Sequence, residues 1–283
     1  MNALNQHTWV NGQPQDTVSV FDRGLAFGDG LFETMRLRGD VAPLLELHLE
    51  RMLHGANRLG ITISRQQLLD DLAIAFAESA KQPDTTWRLK YMLTRGSSDS
   101  GYMPKPYSKP TRIMLLMPYD AGLARLHQQQ GVKTLTCNWR LSAQPALAGI
   151  KHLNRLDQIK ARQELLDSDC YEGLMKDQFN TYVEGTMSNF FAIAPEGELI
   201  TPSLDNSGVA GVMRRLVVET LAPAIGKECL EAEISRMNEF KEVFITNALI
   251  GIVPVLAVDK HHFEVGPVTR QLQKQLQQFL RKS

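Results

Sequence analysis

Hydrophobic residues recur along the chain at two kinds of spacing, which separate predicted helices from predicted strands. Between 45 and 59, leucine, methionine and alanine residues fall three and four positions apart, so we predict a helix that Gly60 ends. Ser64 is suited to cap a second helix, which runs to about Ala80. The stretch 268–280 has the same helical spacing.

Short apolar or alternating runs between turn residues predict strands in the first half. Asn11-Gly12 is a typical hairpin turn between short segments at 9–10 and 13–14. A loop rich in glycine, serine, proline and lysine extends from Gly96 to Pro110. A loop of this length is more often functional than idle. The remaining strands predicted here are 31–38, 41–45, 87–94 and 112–117.

The second half mixes strands and helices without a regular alternation. Helix patterns begin near Leu153 and near Gly211. Strand hairpins combined with helices favour an α+β (mixed α/β) fold over a doubly wound parallel sheet. The predicted strands are 132–137, 172–176, 181–184, 189–194, 198–201, 243–246 and 253–258.

The length and composition of the chain suit two domains with buried cores. Of the 283 residues, 43% are hydrophobic and 22% are charged, which leaves ample apolar material. Composition changes just after Pro118. We therefore predict a small N-terminal domain over 1–118, a linker over 119–130 and a larger domain over 131–283.

Charge and cysteine content argue against several classes of protein. The chain has 31 basic and 31 acidic residues, whereas a duplex nucleic-acid binder needs a basic field. Cys137, Cys170 and Cys229 form no C-x-x-C pair, so we expect reduced thiols and no metal site. The N-terminus lacks the features of a signal peptide, and no apolar run is long enough to span a bilayer. We expect a cytoplasmic protein with no membrane partner.

Lys151 is the first candidate for chemistry, because the common nucleotide-binding, serine-hydrolase and zinc-protease motifs are absent. It follows the small, apolar run 147–150, which would limit hydration of its ammonium group. Desolvation lowers the pKa of a lysine and makes the neutral, nucleophilic amine accessible. The alternative is a lysine at a strand end whose ammonium group extends into water.

Three further features have both a functional and a purely structural interpretation. Glu184 enters a turn of glycine, threonine, serine and asparagine, where it is either a turn residue or an acid that keeps a pyridine nitrogen protonated. Gly208 and Gly211 precede a predicted helix whose free amides suit a phosphate, although many loop-to-helix junctions look similar. Arg51 lies away from the apolar stripe of its helix, so a solvated arginine is the alternative to a phosphate ligand.

Taken together, these segments resemble the fold-type IV enzymes that depend on pyridoxal 5'-phosphate (PLP), along nearly the whole chain. The resemblance implies a two-domain homodimer in which the larger domain has a barrel-like sheet. It implies that Lys151 forms the Schiff base, Arg51 and the segment 211–213 bind the phosphate, and Glu184 meets the pyridine nitrogen. The positions implied to bind the cofactor are Arg51, Lys151, Glu184, Gly211, Val212, Met213 and Asn247.

Within that superfamily, the stretches 27–34, 147–156 and 208–214 resemble the aminodeoxychorismate lyases. This resemblance implies that the chain converts 4-amino-4-deoxychorismate to 4-aminobenzoate and pyruvate, a step of folate biosynthesis, with Lys151 as the catalytic residue. One departure concerns the loop that precedes Gly-Tyr, where Ser100 stands in place of an arginine. Other cations nearby in sequence would then bind the substrate carboxylates: Arg95, Lys105 and Lys109.

Two other functions stay open. A D-amino-acid or branched-chain aminotransferase would use the same Lys151 and Glu184. The residues after Lys151 argue against it, and the missing loop arginine argues for it. A non-catalytic protein that binds a small molecule on the same fold would need no Schiff base. The joint presence of Lys151, Glu184 and Arg51 argues against that function.

Overall fold

The computed structural model describes residues 6–99 and 101–282. The chain divides into two compact units. Unit 1 comprises Met1–Asp120 with Ile150–Asn154, and unit 2 comprises Ala121–Gly149 with Arg155–Ser283. None of the helices in these described ranges combines the length and the apolar composition that a membrane span requires. Two expectations from the sequence, on the N-terminal segment 1–5 and on Ser100, fall outside the described residues.

Unit 1 is built on an antiparallel sheet. The elements of this unit in chain order are β1 (His7–Val10), β2 (Gln13–Pro14), α1 (Arg23–Phe27), β3 (Gly30–Arg38), α2 (Leu45–Leu59), α3 (Arg65–Ala80), β4 (Thr86–Thr94) and β5 (Thr111–Pro118). The strand order is β2-β1-β5-β4-β3. The two long helices, α2 and α3, pack on this sheet through β3. Buried and half-buried residues alternate along β3 and β4, so one face of the sheet forms the core of the unit.

The sequence predicted most of unit 1. Helix α2 ends at Gly60, which has a φ of 66°, and the Ser64 hydroxyl accepts a hydrogen bond from the amide of Gln67 in a capping box. The hairpin turn and three of the predicted strands are confirmed. The predicted strand 41–45 is wrong. Only a single bridge, between Arg38 and Val41, forms there, because Pro43 cannot donate to a ladder and α2 begins two residues later.

Unit 2 contains a curled sheet. The elements of this unit in chain order are α4 (Ala121–Gln130), β6 (Val132–Leu141), α5 (Leu156–Gln163), β7 (Glu172–Asp177), β8 (Tyr182–Gly185), β9 (Asn189–Ile193), β10 (Leu199–Pro202), α6 (Val212–Leu216), β11 (Cys229–Ala232), β12 (Glu242–Asn247), β13 (Gly251–Val258), β14 (His261–His262) and α7 (Pro267–Lys282). The strand order is β11-β10-β9-β12-β13-β6-β7-β8, and β14 pairs with β13. The strands β13, β6 and β7 run parallel, as do β10 and β11. A π-helical turn, Val217–Leu221, continues α6.

The core of unit 2 lies on the sheet. Every residue of β7, β8 and β9 is buried, and the rings of Phe191 and Phe244 stack 4.9 Å apart between neighbouring strands. All the strands predicted in this half are confirmed, and the mixed α/β fold with a curled sheet agrees with the sequence prediction.

Two features of the chain's division differ from the sequence prediction. The segment 119–130 contains the helix α4, which belongs to unit 2. The residues Ile150–Asn154 belong to unit 1, because the amide of Phe32 donates to the carbonyl of Lys151 and the amide of Leu153 donates to the carbonyl of Gly30. The helix expected from Leu153 therefore begins only at Leu156.

Candidate active site

In unit 1, a buried carboxylate fixes Arg51, the candidate phosphate-binding residue. Glu33 on β3 is 1% exposed, and it accepts hydrogen bonds from Arg51 Nε at 2.7 Å and Arg51 Nη2 at 2.5 Å. His48 Nδ1 lies 2.6 Å from the same carboxylate. Burial alone would raise the pKa of Glu33, but the charges of Arg51 and His48 and their hydrogen bonds outweigh it and lower the pKa to about 2. Arg51 is thus largely buried and fixed, and not the solvated arginine of the alternative interpretation.

The backbone of Lys151 is hydrogen-bonded to β3, the strand that carries Glu33. Its carbonyl accepts from the amide of Phe32, which directly precedes Glu33 on β3. Its ammonium nitrogen lies 4.4 Å from the centroid of the Phe32 ring. Burial lowers the pKa of His48, against the opposing effect of Glu33, and the charge of Lys151 adds to this lowering. The structure therefore brings Lys151 and the residues around Arg51 together in unit 1.

A second lysine reaches the same aromatic ring, and sequence reasoning missed it. Lys90 Nζ lies 5.3 Å from the centroid of the Phe32 ring. Burial lowers the pKa of Lys90, and the charge of Arg88 lowers it further. Among the described residues, no carboxylate forms an ion pair with Lys90. The available signal was the alternation of β4, which places Lys90 and Arg88 on the face opposite the buried Leu89.

Two of the three loop cations suggested for the substrate carboxylates have other partners. Arg95 donates to both oxygens of Asp29 and to the carbonyls of Leu59 and Gly60, so it closes the C-terminal end of α2. Lys105 is exposed and forms an ion pair with Asp99. The third, Lys109, is exposed. Arg95 is therefore held by structural contacts within unit 1, whereas Lys105 and Lys109 are exposed.

Glu184 of unit 2 is a buried carboxylate held from two sides. It lies on β8 and is 3% exposed. One oxygen accepts from the amide of Val209 at 2.8 Å, and the other accepts from Gln158 Nε2 at 3.2 Å. Burial lowers the pKa of the nearby Arg155, and the charge of Glu184 opposes this lowering. These contacts orient an acid that has an arginine close by, which is more than a turn residue requires.

The loop that precedes α6 is built for close approach of the backbone. Gly211 caps the helix, and a side-chain carbon at this position would lie 2.0 Å from the Asn189 amide oxygen. Asn189 in turn donates to the carbonyl of Val209 at 2.8 Å. The backbone amides of Val212 and Met213 stand in the first turn of α6, where helix amides lack partners within the helix.

The strand β12 supplies the last predicted site residue. Asn247 donates to the carbonyl of Met187 at 3.1 Å, and its side-chain oxygen accepts from the amides of Leu249 and Ile250. Its neighbour Thr246 pairs with Asn189 across the sheet and is 1% exposed. Among the described residues, the Thr246 hydroxyl has no hydrogen-bond partner. A buried hydroxyl in this state is suited to donate to a ligand anion.

The sequence from residue 30 to residue 258 matches the family described as Amino-transferase class IV. The chain belongs to this family. The class IV family depends on PLP, as the sequence resemblance implied. The confirmed resemblance covers both units of the chain.

Individual relatives match this chain over nearly its whole length. It is 32% identical to aminodeoxychorismate lyase of Vibrio harveyi, over 95% of this chain and 98% of the relative. It is 30% identical to a putative branched-chain-amino-acid aminotransferase of Methanocaldococcus jannaschii, over 94% and 93%. Among solved structures, 4-amino-4-deoxychorismate lyase of Pseudomonas aeruginosa is 43% identical, with a TM-score of 0.88, 96% of this chain and 98% of that chain being covered.

The donor and acceptor groups of the two units fit the family's cofactor chemically. Unit 1 offers a lysine amine at Lys151 and a guanidinium at Arg51, which suit an aldehyde and a phosphate. Unit 2 offers the buried acid Glu184 for a ring nitrogen, the glycine-lined start of α6 and the Thr246 hydroxyl for anionic oxygens.

Proposed function

We propose that this chain is a PLP-dependent lyase that converts 4-amino-4-deoxychorismate to 4-aminobenzoate and pyruvate. The likeness to the P. aeruginosa lyase, which extends over 96% of this chain at 43% identity, carries the proposal. The buried groups described in both units support it, because each would have a role in the chemistry of such a lyase.

The proposed binding roles follow from the contacts of each residue. Arg51 and the amides of the segment 211–213 would hold the phosphate of PLP, and Glu33 would keep the Arg51 guanidinium in one orientation. Glu184 would keep the pyridine nitrogen protonated, since Val209 and Gln158 fix its carboxylate. Asn247 would act on the cofactor site indirectly, because its side chain donates a hydrogen bond to the Met187 carbonyl.

Lys151 would carry the proton transfers of the reaction. PLP, when bound, supplies the electron sink for the carbon that bears the substrate's amine. The Lys151 amine takes the proton from that carbon, and the same group then donates it to the departing enolpyruvyl group. The carbon–oxygen bond breaks as the six-membered ring becomes aromatic, which makes the elimination strongly favourable. The released enolpyruvate becomes pyruvate, so all the atoms of the substrate appear in the two products.

Lys90 would bind one of the substrate's two carboxylates. Its ammonium lies over the same Phe32 ring as Lys151, it forms no ion pair with a described carboxylate, and its burial favours an anionic partner. This role would compensate for the loop arginine that the chain lacks.

An aminotransferase acting on branched-chain amino acids is the second candidate. The relative from M. jannaschii, 30% identical over 94% of this chain, favours it. Such an enzyme would use Lys151 and Glu184 in the same roles but would return a keto acid. A D-amino-acid aminotransferase would also form a keto acid. It would differ from a branched-chain aminotransferase in the amino acid that it accepts as substrate.

The test is a product assay on purified protein loaded with PLP. We expect a visible absorbance band, and 4-aminobenzoate and pyruvate in equal amounts after addition of 4-amino-4-deoxychorismate. The variant Lys151→Ala should lose the band and lower kcat by about 10²- to 10⁴-fold, because it removes the group that moves the proton. A keto acid formed from an amino acid, without 4-aminobenzoate, would establish the aminotransferase instead. Wild-type protein that shows no band with added PLP would refute both.

We also propose a cytoplasmic homodimer. Large apolar side chains of unit 1 stay exposed in the single chain, among them Phe21, Leu25 and Tyr102, and burial of this surface against a second copy would stabilise a dimer. The three cysteines are free thiols, which suits a reducing compartment. Sedimentation analysis would test the dimer, and cell fractionation would test the compartment.

A further inference from the structure

A second glutamate of unit 2, Glu172, is completely buried at the start of β7 and has no role in the chemistry described above. Its Oε1 accepts from Arg162 Nη1 at 3.2 Å, from the amide of Gly173 at 2.9 Å, and from both the amide and the hydroxyl of Thr186, at 3.2 and 2.5 Å. Its Oε2 accepts from the amide of Met187 at 3.2 Å and from the Ser188 hydroxyl at 2.8 Å. All six contacts are donated to the carboxylate, so both of its oxygens act as acceptors.

Four of these six hydrogen bonds come from one turn, the residues 186–188 between β8 and β9. Gly185 opens the turn, and a side-chain carbon there would lie 2.3 Å from the Ser188 hydroxyl and 3.0 Å from the Glu172 carboxylate. The glycine therefore allows the carboxylate to pack directly on the backbone of the turn. Glu172 thus accepts the hydrogen bonds that the groups of an exposed turn would donate to water.

The turn joins the candidate cofactor residues of unit 2 to one another. Glu184 immediately precedes Gly185, and its backbone position is set where the turn begins. Asn247 donates to the Met187 carbonyl within the turn. Asn189 follows the turn directly, holds the Val209 carbonyl and closes on Gly211. Any movement of the turn would displace the acid, the amide cradle and the β12 segment together.

We propose that Glu172 is a positioning residue that sets the geometry of the cofactor site in unit 2. The inference rests on the proposed function, since it assigns to Glu184 and the start of α6 the roles given above. Glu172 acts through the turn and touches neither the cofactor nor the substrate. Its effect is on the affinity for PLP and on the electronic state of its ring.

The variant Glu172→Gln tests this role, because an amide donates at one end and must face the backbone N–H of either Thr186 or Met187. Glu242→Gln is the matched control. Glu242 is also a buried carboxylate of unit 2, and it accepts from the amide and the hydroxyl of Thr269 at 2.8 and 2.7 Å at the start of α7. Both variants should lower the midpoint of chemical unfolding of the apoprotein.

Only Glu172→Gln should weaken PLP binding, measured by titration of the apoprotein and followed by visible absorbance. We expect its Kd to rise about ten- to a hundredfold, and the pH midpoint of the visible band to shift. Glu242→Gln should stay within about twofold of the wild type in both measurements. If the two variants have equal PLP affinities and equal pH midpoints, Glu172 is only a structural residue and the inference is overturned.

A milder variant decides the matter if Glu172→Gln does not fold. Ser188→Ala removes a single hydrogen bond to Glu172, and we expect about a three- to tenfold rise in the Kd for PLP. Ser168→Ala, which removes a hydroxyl bonded to the Leu165 carbonyl in the same unit, should leave this Kd unchanged. Equal affinities for these two variants would overturn the inference. Failure of the proposed function would be seen separately, as wild-type protein that binds PLP but forms no 4-aminobenzoate.

Discussion

Three buried carboxylates, Glu33, Glu172 and Glu184, illustrate how single residues shape the candidate site. Each of these residues has at most 3% of its surface exposed to water. Each is surrounded by donors, so the hydrogen bonds and charges around it offset the cost of removing it from solvent. Each also fixes a neighbouring group: Arg51, the turn 186–188 and the Val209 amide, respectively.

The carboxylate of Glu33 should make stability depend on pH in the acid range. Its pKa is lowered from 4.5 to about 2, so its contribution is fully present above about pH 5 and is lost as the pH falls toward 2. The shift corresponds to about 3 kcal/mol. Denaturant unfolding at several pH values should show that Glu33→Gln lowers the free energy of unfolding at pH 7 and flattens its decline between pH 5 and 2.

Glu46→Gln is the control for this prediction. Glu46 lies on the exposed surface of α2, where it forms an ion pair with Arg65. Exposed pairs contribute little to stability, so this variant should keep the pH dependence of the wild type. The interpretation would fail if Glu33→Gln and the wild type lost stability in parallel as the pH falls.

At the scale of elements, the regular β3–β4 pair determines which side chains share a surface. The pairing of Thr34 with Lys90, and of Phe32 with Met92, places Lys90 beside Phe32 on the half-buried face. Lys151 reaches the ring of Phe32 from the segment that is hydrogen-bonded to β3. The sheet therefore gives two lysines a common neighbour although they are far apart in sequence.

Replacing Lys90 with methionine should weaken substrate binding more than it slows the chemical step. We expect the KM for 4-amino-4-deoxychorismate to rise about ten- to a hundredfold, because the variant removes a charged partner of a carboxylate. The visible band of the cofactor should not change. Steady-state kinetics and absorbance measure these effects, and Lys90→Arg should restore part of the affinity.

Lys176→Met is the matched control for Lys90→Met. Lys176 also lies over an aromatic ring, that of Tyr182 at 4.3 Å, and burial lowers its pKa. It belongs to β7 of unit 2 and has no proposed role in the site. A KM that changes equally in both variants, or in neither, would contradict the role proposed for Lys90.

Long periodic elements were predictable from the sequence, and partners from distant segments were not. The spacing in α2 and the cap at Ser64 are local signals, and both gave the correct helices. Arg51 lies off the apolar stripe on a helical wheel, yet its side chain is largely buried, because its partner Glu33 comes from β3, which no helical wheel includes. Short elements such as α1 and β11 have too few residues to show a period.

The predicted strand 41–45 failed for a similar reason, because its pattern was genuine but too short. The turn at Gly39 forms, and Arg38 and Val41 exchange two backbone hydrogen bonds. Pro43 then ends the ladder, and the apolar residues that follow serve the helix. The family assignment from motifs succeeded because its sequence signals, around Lys151 and Glu184, are local.

At the scale of the whole molecule, the chain enters unit 1 twice. The residues Ile150–Asn154 belong to unit 1, whereas Gly149 and Arg155 on either side belong to unit 2. The candidate catalytic lysine lies within this short segment. Loss of structure in unit 2 would release both ends of the segment, and loss of structure in unit 1 would release its middle.

We therefore expect the two units to unfold together. The tryptophans report on them separately, since Trp9 and Trp87 are buried in unit 1 and Trp139 lies in unit 2. The variant Trp139→Phe leaves the unit 1 reporters, and the double variant of Trp9 and Trp87 to phenylalanine leaves the unit 2 reporter. Fluorescence-detected urea unfolding of the two proteins, each compared with its own circular dichroism, should give coincident transitions. Two separated midpoints within one protein would contradict the coupling.

The short segment Ile150–Asn154 also limits how such enzymes can be recombined. A chimera that joined residues 1–120 of this chain to the remainder of a relative would take β3 from one parent and the segment bonded to it from the other. In such a chimera, Lys151 would come from one parent and Phe32, whose ring it contacts, from the other. A single crossover at residue 120 would therefore produce a unit 1 whose parts come from two parents. A chimera that exchanges residues 150–154 together with residues 1–120 would keep each unit from a single parent.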